Sequence, residues 1–133
     1  MKPENNWKNK SIHALEKHDY GNPDNAPTHM VKRCLQLTKI PLINFTVEDL
    51  RLMIGQNFAL DYLVPLAIEK LEIDMLAKGD YYAGDLLENV LNIDQSFWAN
   101  NITLYMQLKQ MILTNKNKIE FEGIALEKFN LSV

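Results

Sequence analysis

The sequence has 133 residues, of which 47% are hydrophobic and 23% charged, and its formal net charge is −3. This composition excludes disorder for the body of the chain and predicts one globular domain whose core needs neither metal nor disulfide. Cys34 is the single cysteine, which excludes an internal disulfide, and no stretch approaches the ~20 apolar residues that a membrane-spanning helix requires. The N-terminus also lacks the apolar run of a signal peptide, so we expect a cytoplasmic protein.

The first third of the chain predicts a flexible tail followed by two helices. Residues 1–10 are mostly polar, as is typical of a frayed terminus, and Ser11 can cap a helix from Ile12 to about Asp19. A run of turn-forming residues then ends this helix. Pro27 suits the first position of a second helix, which should stop before Pro41 because a residue that precedes proline avoids helical backbone angles.

The clearest helix start in the sequence is at Thr46. Thr46 and Asp49 have the spacing of a capping box, with Asp in place of the usual Glu or Gln. Phe45 precedes the cap and Leu50 follows at the fourth helical position, where a hydrophobic staple needs apolar residues. This helix should end at Gly55–Asn57.

The middle of the chain predicts two further helices separated by a turn. Asp61 can cap the first of these helices, with Pro65 near its first turn. Residues 77–80 then predict a turn. The apolar spacing from Tyr81 to Asn92 predicts the second helix.

The last third of the chain predicts two helices and a tail. Asp94 can cap a short helical turn, Gln95–Ala99, and the apolar stretch from Ile102 to Leu113 predicts a longer helix. Ile119–Glu122 alternates apolar and polar residues like a lone strand, but nothing obvious can pair with it. We therefore expect an extended or short helical tail that packs three side chains on the bundle, namely Phe121, Leu126 and Phe129. Taken together, the elements predict an all-α fold, a compact single-domain helical bundle of about five to seven helices over residues 11–133.

The negative charge is concentrated in the middle of the sequence. Residues 46–94 carry three Lys or Arg against ten Asp or Glu, which gives −7, whereas residues 1–45 carry +3 and residues 95–133 carry +1. A protein that binds nucleic acid is expected to have a basic face, so the pattern disfavours that class. A concentrated negative field attracts a basic protein instead, although an ordinary solvated surface explains the charges equally well.

No pattern in the sequence is typical of a catalytic, cofactor or metal site. The three histidines, His13, His18 and His29, are too few and lack metal-site spacing. Cys34 lies on an apolar helix face, where a free cysteine behaves as a small hydrophobic residue. Glu48-Asp49 is a pair of carboxylates, but the helix dipole favours negative charge in a first turn and explains both.

Tyr81 and Tyr82 are the strongest candidates for contact with another protein. Adjacent tyrosines beside the acids Asp80 and Asp85 can anchor an interface, where tyrosine is enriched. The alternative is that one tyrosine packs inside the core while the other covers its edge.

Several stretches of the sequence resemble, in order, the immunity proteins of bacterial contact-dependent growth inhibition systems. They are Leu15-Glu16 followed by Tyr20-Gly21, PLINFTVEDLRLMIGQ at residues 41–56, YLVPLA at residues 62–67, and GDYYAGDLL at residues 79–87. Members of the family more often have proline where Ala83 stands. The resemblance covers about residues 11–98 and does not support the tail from Asn101 onward.

The resemblance implies an all-helical fold and a protective role. In such systems a neighbouring cell delivers the toxic C-terminal domain of a protein, often a nuclease, into the cytoplasm. The immunity protein binds this cognate toxin domain and masks its active site or substrate path. The resemblance carries over no catalytic residue, and we expect no cofactor, no metal, no direct contact with nucleic acid or membrane, and a monomer before toxin binding. Our predicted partner-binding residues are Asp80, Tyr81, Tyr82, Asp85 and Glu88.

Three alternative functions remain open from the residues alone. A helical regulatory or adaptor module unrelated to toxin immunity fits the same features. An enzyme would need a pocket that joins distant acids such as Glu48 and Asp85. A DNA-binding helix-turn-helix protein would have to use Lys32, Arg33 and Lys39 without a clear recognition helix.

Overall fold

A computed structural model describes residues 5–129 and residue 131 of the chain. The eight α-helices of this described part are α1 (Ile12–Glu16), α2 (His29–Leu37), α3 (Val47–Gly55), α4 (Leu60–Ile73), α5 (Asp85–Leu91), α6 (Gln95–Ala99), α7 (Ile102–Thr114) and α8 (Lys116–Phe121). Three short 3-10 helices lie at Trp7–Asn9, Pro23–Asn25 and Leu42–Asn44. No strand is found among these residues beyond one isolated bridge, so the predicted all-α fold is confirmed.

Local capping decides where several of the helices begin. At α3 the Asp49 amide donates to Thr46 Oγ1 over 3.1 Å and the Thr46 amide donates to Asp49 Oδ2 over 3.0 Å, which confirms the capping box. Ser11 accepts from the Ala14 amide and caps α1. Asp94 caps α6 in the same manner, as the sequence predicts. Each cap satisfies an amide that the first helical turn leaves without a partner.

Other helix ends differ from the sequence predictions. Helix α1 ends at Glu16 instead of Asp19, because Lys17 adopts a left-handed conformation with φ of 52°. Helix α2 is capped by Thr28, one residue after the predicted proline start. Helix α4 begins at Leu60 after Ala59, whose φ is 45°, so Asp61 is a first-turn residue and not the cap.

Pro65 therefore lies inside α4 and not in its first turn. Its ring nitrogen cannot donate the hydrogen bond that a residue at this position makes to the carbonyl of Asp61. The helix nevertheless continues to Ile73, because its inward side chains are buried almost completely.

The core forms where α3 packs against α4 and α5. Met53 of α3, Leu63 of α4 and Leu86 of α5 are each 0% exposed. Cys34 of α2 is also buried in this cluster, as expected for a small hydrophobic residue. Among the described residues, no helix is both long enough and apolar enough to span a membrane.

The two ends of the described chain both contact the bundle. The Trp7 ring lies 5.8 Å from that of Tyr62, and Lys8 pairs with Glu69, although the sequence suggests a flexible tail here. Residues 1–4 of that predicted tail lie outside the described part. The assignment of residues 1–10 to a tail and 11–133 to one domain stays a prediction.

The C-terminal segment packs on the bundle, although not through all three of the predicted side chains. Phe129 is buried, with its ring 5.5 Å from that of Trp98 and 5.1 Å from that of Tyr105. Leu126 is half-buried, whereas Phe121 is 89% exposed at the end of α8, so the prediction for Phe121 was wrong. Residues 130, 132 and 133 lie outside the described part.

Candidate functional site

The predicted partner-binding residues lie on and beside a short loop between α4 and α5. We call residues 79–84 the acidic loop. An isolated bridge between Lys78 and Ala83 closes it, and the Gly84 amide donates to the Leu76 carbonyl over 3.1 Å. Helix α5 consequently starts at Asp85, and the prediction of a helix from Tyr81 was wrong because Gly84 has a φ of 91°.

Asp85, the first residue of α5, turns its side chain back onto this loop and is only 1% exposed. Its Oδ1 accepts a hydrogen bond from the Gly79 amide over 2.6 Å. Its Oδ2 accepts from the amides of Tyr81 and Tyr82 over 3.1 Å and 3.3 Å. The carboxylate is thus directed at the loop backbone, where it sets the loop's conformation, and not at solvent.

Glu48 of α3 holds the other side of the acidic loop. Its Oε1 accepts from the Asp80 amide over 2.8 Å, and its two oxygens also accept from Arg51 Nε and Nη2 over 2.6 Å and 2.5 Å. The hydrogen bonds from Arg51 lower the pKa of the Glu48 carboxyl below its usual value. The Arg51 guanidinium also lies 4.6 Å from the centroid of the Tyr81 ring, so it connects α3 with the exposed tyrosine.

Gly79 lies in the narrow space between these two carboxylates. A Cβ on this residue would lie 2.6 Å from Glu48 Oε1 and 3.1 Å from Asp85 Oδ2, so the Glu48 side chain would have to shift to make room for it. The absence of a side chain at Gly79 therefore lets both carboxylates approach the loop backbone closely.

The remaining predicted residues present their side chains at the surface. Tyr81 is 68% exposed and Tyr82 is 43% exposed, so neither of them packs inside the core. The Tyr82 hydroxyl donates to Glu88 Oε1 over 2.5 Å, and this hydrogen bond raises the pKa of Tyr82 to about 12. Asp80 is exposed beside them.

A groove of about 400 Å³ adjoins the acidic loop on the side of α2 and α3. Tyr81 and Arg51 line it from one side, and His29 and Met30 line it from α2, with Met30 47% exposed. Sequence reasoning missed the two α2 residues. No periodicity or motif connects α2 with a loop fifty residues further along, so only the packing of helices brings them together.

The acidic middle of the sequence is not one continuous acidic surface. Within the described part of the chain, three of its ten carboxylates form ion pairs, between Arg33 and Asp49, between Arg51 and Glu48, and between Lys8 and Glu69. Asp49 and Asp85 are also buried. In and beside the acidic loop, the carboxylates exposed to solvent are that of Asp80 and, in part, that of Glu88 in α5.

The structure brings together Glu48 and Asp85, the distant acids that the enzyme alternative would use. Both carboxylates approach Gly79, and both already accept hydrogen bonds from the protein. A general acid needs a raised pKa, whereas that of Glu48 is lowered by Arg51. Burial raises the pKa of the Cys34 thiol, which disfavours the thiolate that a nucleophile requires.

Two further observations concern the possible metal site and the possible DNA-binding helix. The described residues contain no group of three or more His, Cys, Asp or Glu side chains placed to hold a metal. Of the three basic residues that a DNA-binding helix would have used, Arg33 pairs with Asp49 and Lys39 pairs with Asp19.

Comparisons with known proteins identify the family of the chain. Residues 14–108, more than half of the sequence, match the family described as CDI immunity proteins. The searches of curated proteins and of solved structures each found no match. The match includes the acidic loop and every helix from α2 to α6, and it confirms the resemblance seen in the sequence. The chain therefore belongs to the family of CDI immunity proteins.

Proposed function

We propose that this protein neutralises a toxin domain by binding it through the acidic loop and the adjoining groove. The observation that carries the proposal is the pair of exposed tyrosines, Tyr81 and Tyr82, on a loop whose backbone is held by two carboxylates. Exposed tyrosines on a well-ordered backbone make good interface anchors, since binding then orders few additional groups.

The toxin face that fits this surface is basic. Asp80 and Glu88 provide negative charge beside the tyrosines, and a charge pattern of this kind speeds encounter with a positive partner. A nuclease has such a positive surface where it binds phosphates, so we propose that the toxin is a nuclease and that the immunity protein covers its substrate path. We also propose that the protein acts in the cytoplasm and is a monomer until it binds the toxin.

The test is a charge reversal at Asp80, which is exposed, and at Glu88, which is half-buried and accepts a hydrogen bond from the Tyr82 hydroxyl. Asp80→Lys with Glu88→Lys should slow association with the toxin domain encoded beside this protein by about tenfold at low salt and flatten its salt dependence. Association and dissociation rates would be measured by surface plasmon resonance over a range of salt concentrations. Asp85 is a poor choice for this test, because its replacement would release the loop backbone.

A matched control places the same change of charge on α4. Asp61→Lys with Glu72→Lys changes the net charge by the same amount at two exposed positions, and it should leave the rates close to those of the wild type. Equal slowing by both double variants would mean that only total charge matters, and unchanged rates in the loop variant would exclude this face as the binding surface.

A further inference from the structure

The C-terminal segment of the chain contacts the acidic loop at Gly84. A Cβ added to Gly84 would lie 3.0 Å from Ile124 Cδ1 and 3.1 Å from Ile124 Cγ1, so the Ile124 side chain packs directly over the Gly84 backbone. Leu76 lies on the same spot, with its Cδ2 3.3 Å away. Ile124 is 4% exposed, although it lies forty residues beyond the loop and outside the region that matches the family.

The contact with Ile124 can affect the conformation of the acidic loop through Gly84. Its amide donates to the Leu76 carbonyl and its carbonyl accepts from the Glu88 amide over 2.9 Å, so it connects the end of the loop to the first turn of α5. The next residue, Asp85, holds the amides of Tyr81 and Tyr82. A shift of Gly84 would therefore move the carboxylate that orders the exposed tyrosines.

The segment that carries Ile124 is itself anchored on both sides. Before it, Ile119 is 0% exposed and its carbonyl accepts from the Ile124 amide over 3.3 Å. After it, Phe129 is buried against the rings of Trp98 and Tyr105, and Gln95 Nε2 donates to the Lys128 carbonyl over 3.2 Å. These contacts hold the segment on the bundle on both sides of Ile124.

From this geometry we infer that residues 116–129 form a brace for the acidic loop, and that Ile124 is a positioning residue for Tyr81 and Tyr82. The importance of this brace for toxin binding rests on the proposed function, but its effect on the loop does not.

The test measures amide hydrogen exchange in the free protein, without any toxin. Ile124→Ala should speed exchange at the amides of Gly79, Tyr81 and Tyr82 by about tenfold, while the amides of α4 keep their wild-type rates. Ile124→Val removes a single methylene and should produce a smaller change in the same direction. It keeps the experiment decisive if the alanine variant folds poorly.

Phe121→Ala is the matched control, because Phe121 belongs to the same segment and is 89% exposed. It should leave the exchange rates of the loop unchanged. Unaltered loop exchange in both Ile124 variants would overturn the inference, and so would an equal acceleration in the loop and in α4, which signals general destabilisation. Because no toxin is present, failure here is distinguishable from failure of the charge-reversal test.

Discussion

At the scale of single residues, Glu48 and Asp85 show how an acid can serve a binding surface without touching the partner. Both belong to the acidic middle of the sequence. Both oxygens of Asp85 accept from amides of the acidic loop, whereas Glu48 accepts from one loop amide through Oε1 and also accepts from Arg51 through both oxygens. Their carboxylates accept hydrogen bonds from amides of the loop, and the neighbouring tyrosines stay exposed for contact with a partner. The sequence identifies the acids and the tyrosines as candidates. It does not show that the acids bind the loop backbone while the tyrosines are left exposed.

The lowered pKa of Glu48 makes one part of the stability depend on pH. Since the folded-state pKa lies below the usual value of 4.5, Glu48 stabilises the fold at pH values above 4.5, and this contribution is lost as the pH falls through the folded-state pKa. Glu48→Gln should therefore lower the free energy of unfolding at about pH 7, and the difference from the wild type should shrink towards about pH 3.

Urea unfolding at a series of pH values, followed by circular dichroism, measures this difference. Asp19 and Asp94 also have lowered pKa values, because of hydrogen bonds from backbone amides, but they titrate in both proteins and cancel in the comparison. If the difference in the free energy of unfolding stayed constant as the pH falls, the fold would not stabilise the ionised form of Glu48.

At the scale of elements, what could be predicted depends on how far apart in sequence the determining residues lie. The caps at Thr46 and Asp94 involve neighbours within three positions, so the starts of α3 and α6 were predicted correctly. The start of α5 was predicted four residues too early, because it depends on how the loop folds back on the amide of Gly84. The pairing of Glu48 with Arg51 was also predictable, but its hydrogen bond with the Asp80 amide was not, because thirty-two residues separate them.

The capping box of α3 provides a test at this scale. Thr46→Ala removes the acceptor of the Asp49 amide and should lower the free energy of unfolding by about 1 kcal/mol. Thr46→Ser keeps the hydroxyl and should stay within a few tenths of a kcal/mol of the wild type. Denaturant unfolding of the three proteins compares them directly. A serine variant as unstable as the alanine variant would mean that packing of the threonine methyl, and not the cap, is responsible.

At the scale of the whole molecule, the all-α fold follows from the sequence because each helix carries its own apolar spacing. The positions of the two chain ends on the bundle cannot be predicted from the sequence, because neither end has a pattern that indicates which residues it contacts. Phe121 and Phe129 look alike in the sequence, yet one is exposed and the other completes an aromatic cluster with Trp98 and Tyr105. The groove beside the acidic loop likewise exists only after α2 and α3 have packed.

The N-terminal segment offers the last test, because sequence and structure suggest different behaviour for it. A flexible tail could be removed without effect, whereas the packing of Trp7 on Tyr62 implies that Trp7→Ala lowers the free energy of unfolding by about 1–2 kcal/mol. Lys8→Ala is the control in the same segment. It removes the exposed ion pair with Glu69 and the ammonium that lies 5.8 Å from the centroid of the Trp7 ring, and should cost less than about 1 kcal/mol. Thermal and denaturant unfolding would measure both variants beside a chain that lacks residues 1–10. If the truncated chain and Trp7→Ala were both as stable as the wild type, the domain would begin at residue 11. The contact between the Trp7 and Tyr62 rings would then contribute nothing to the free energy of unfolding.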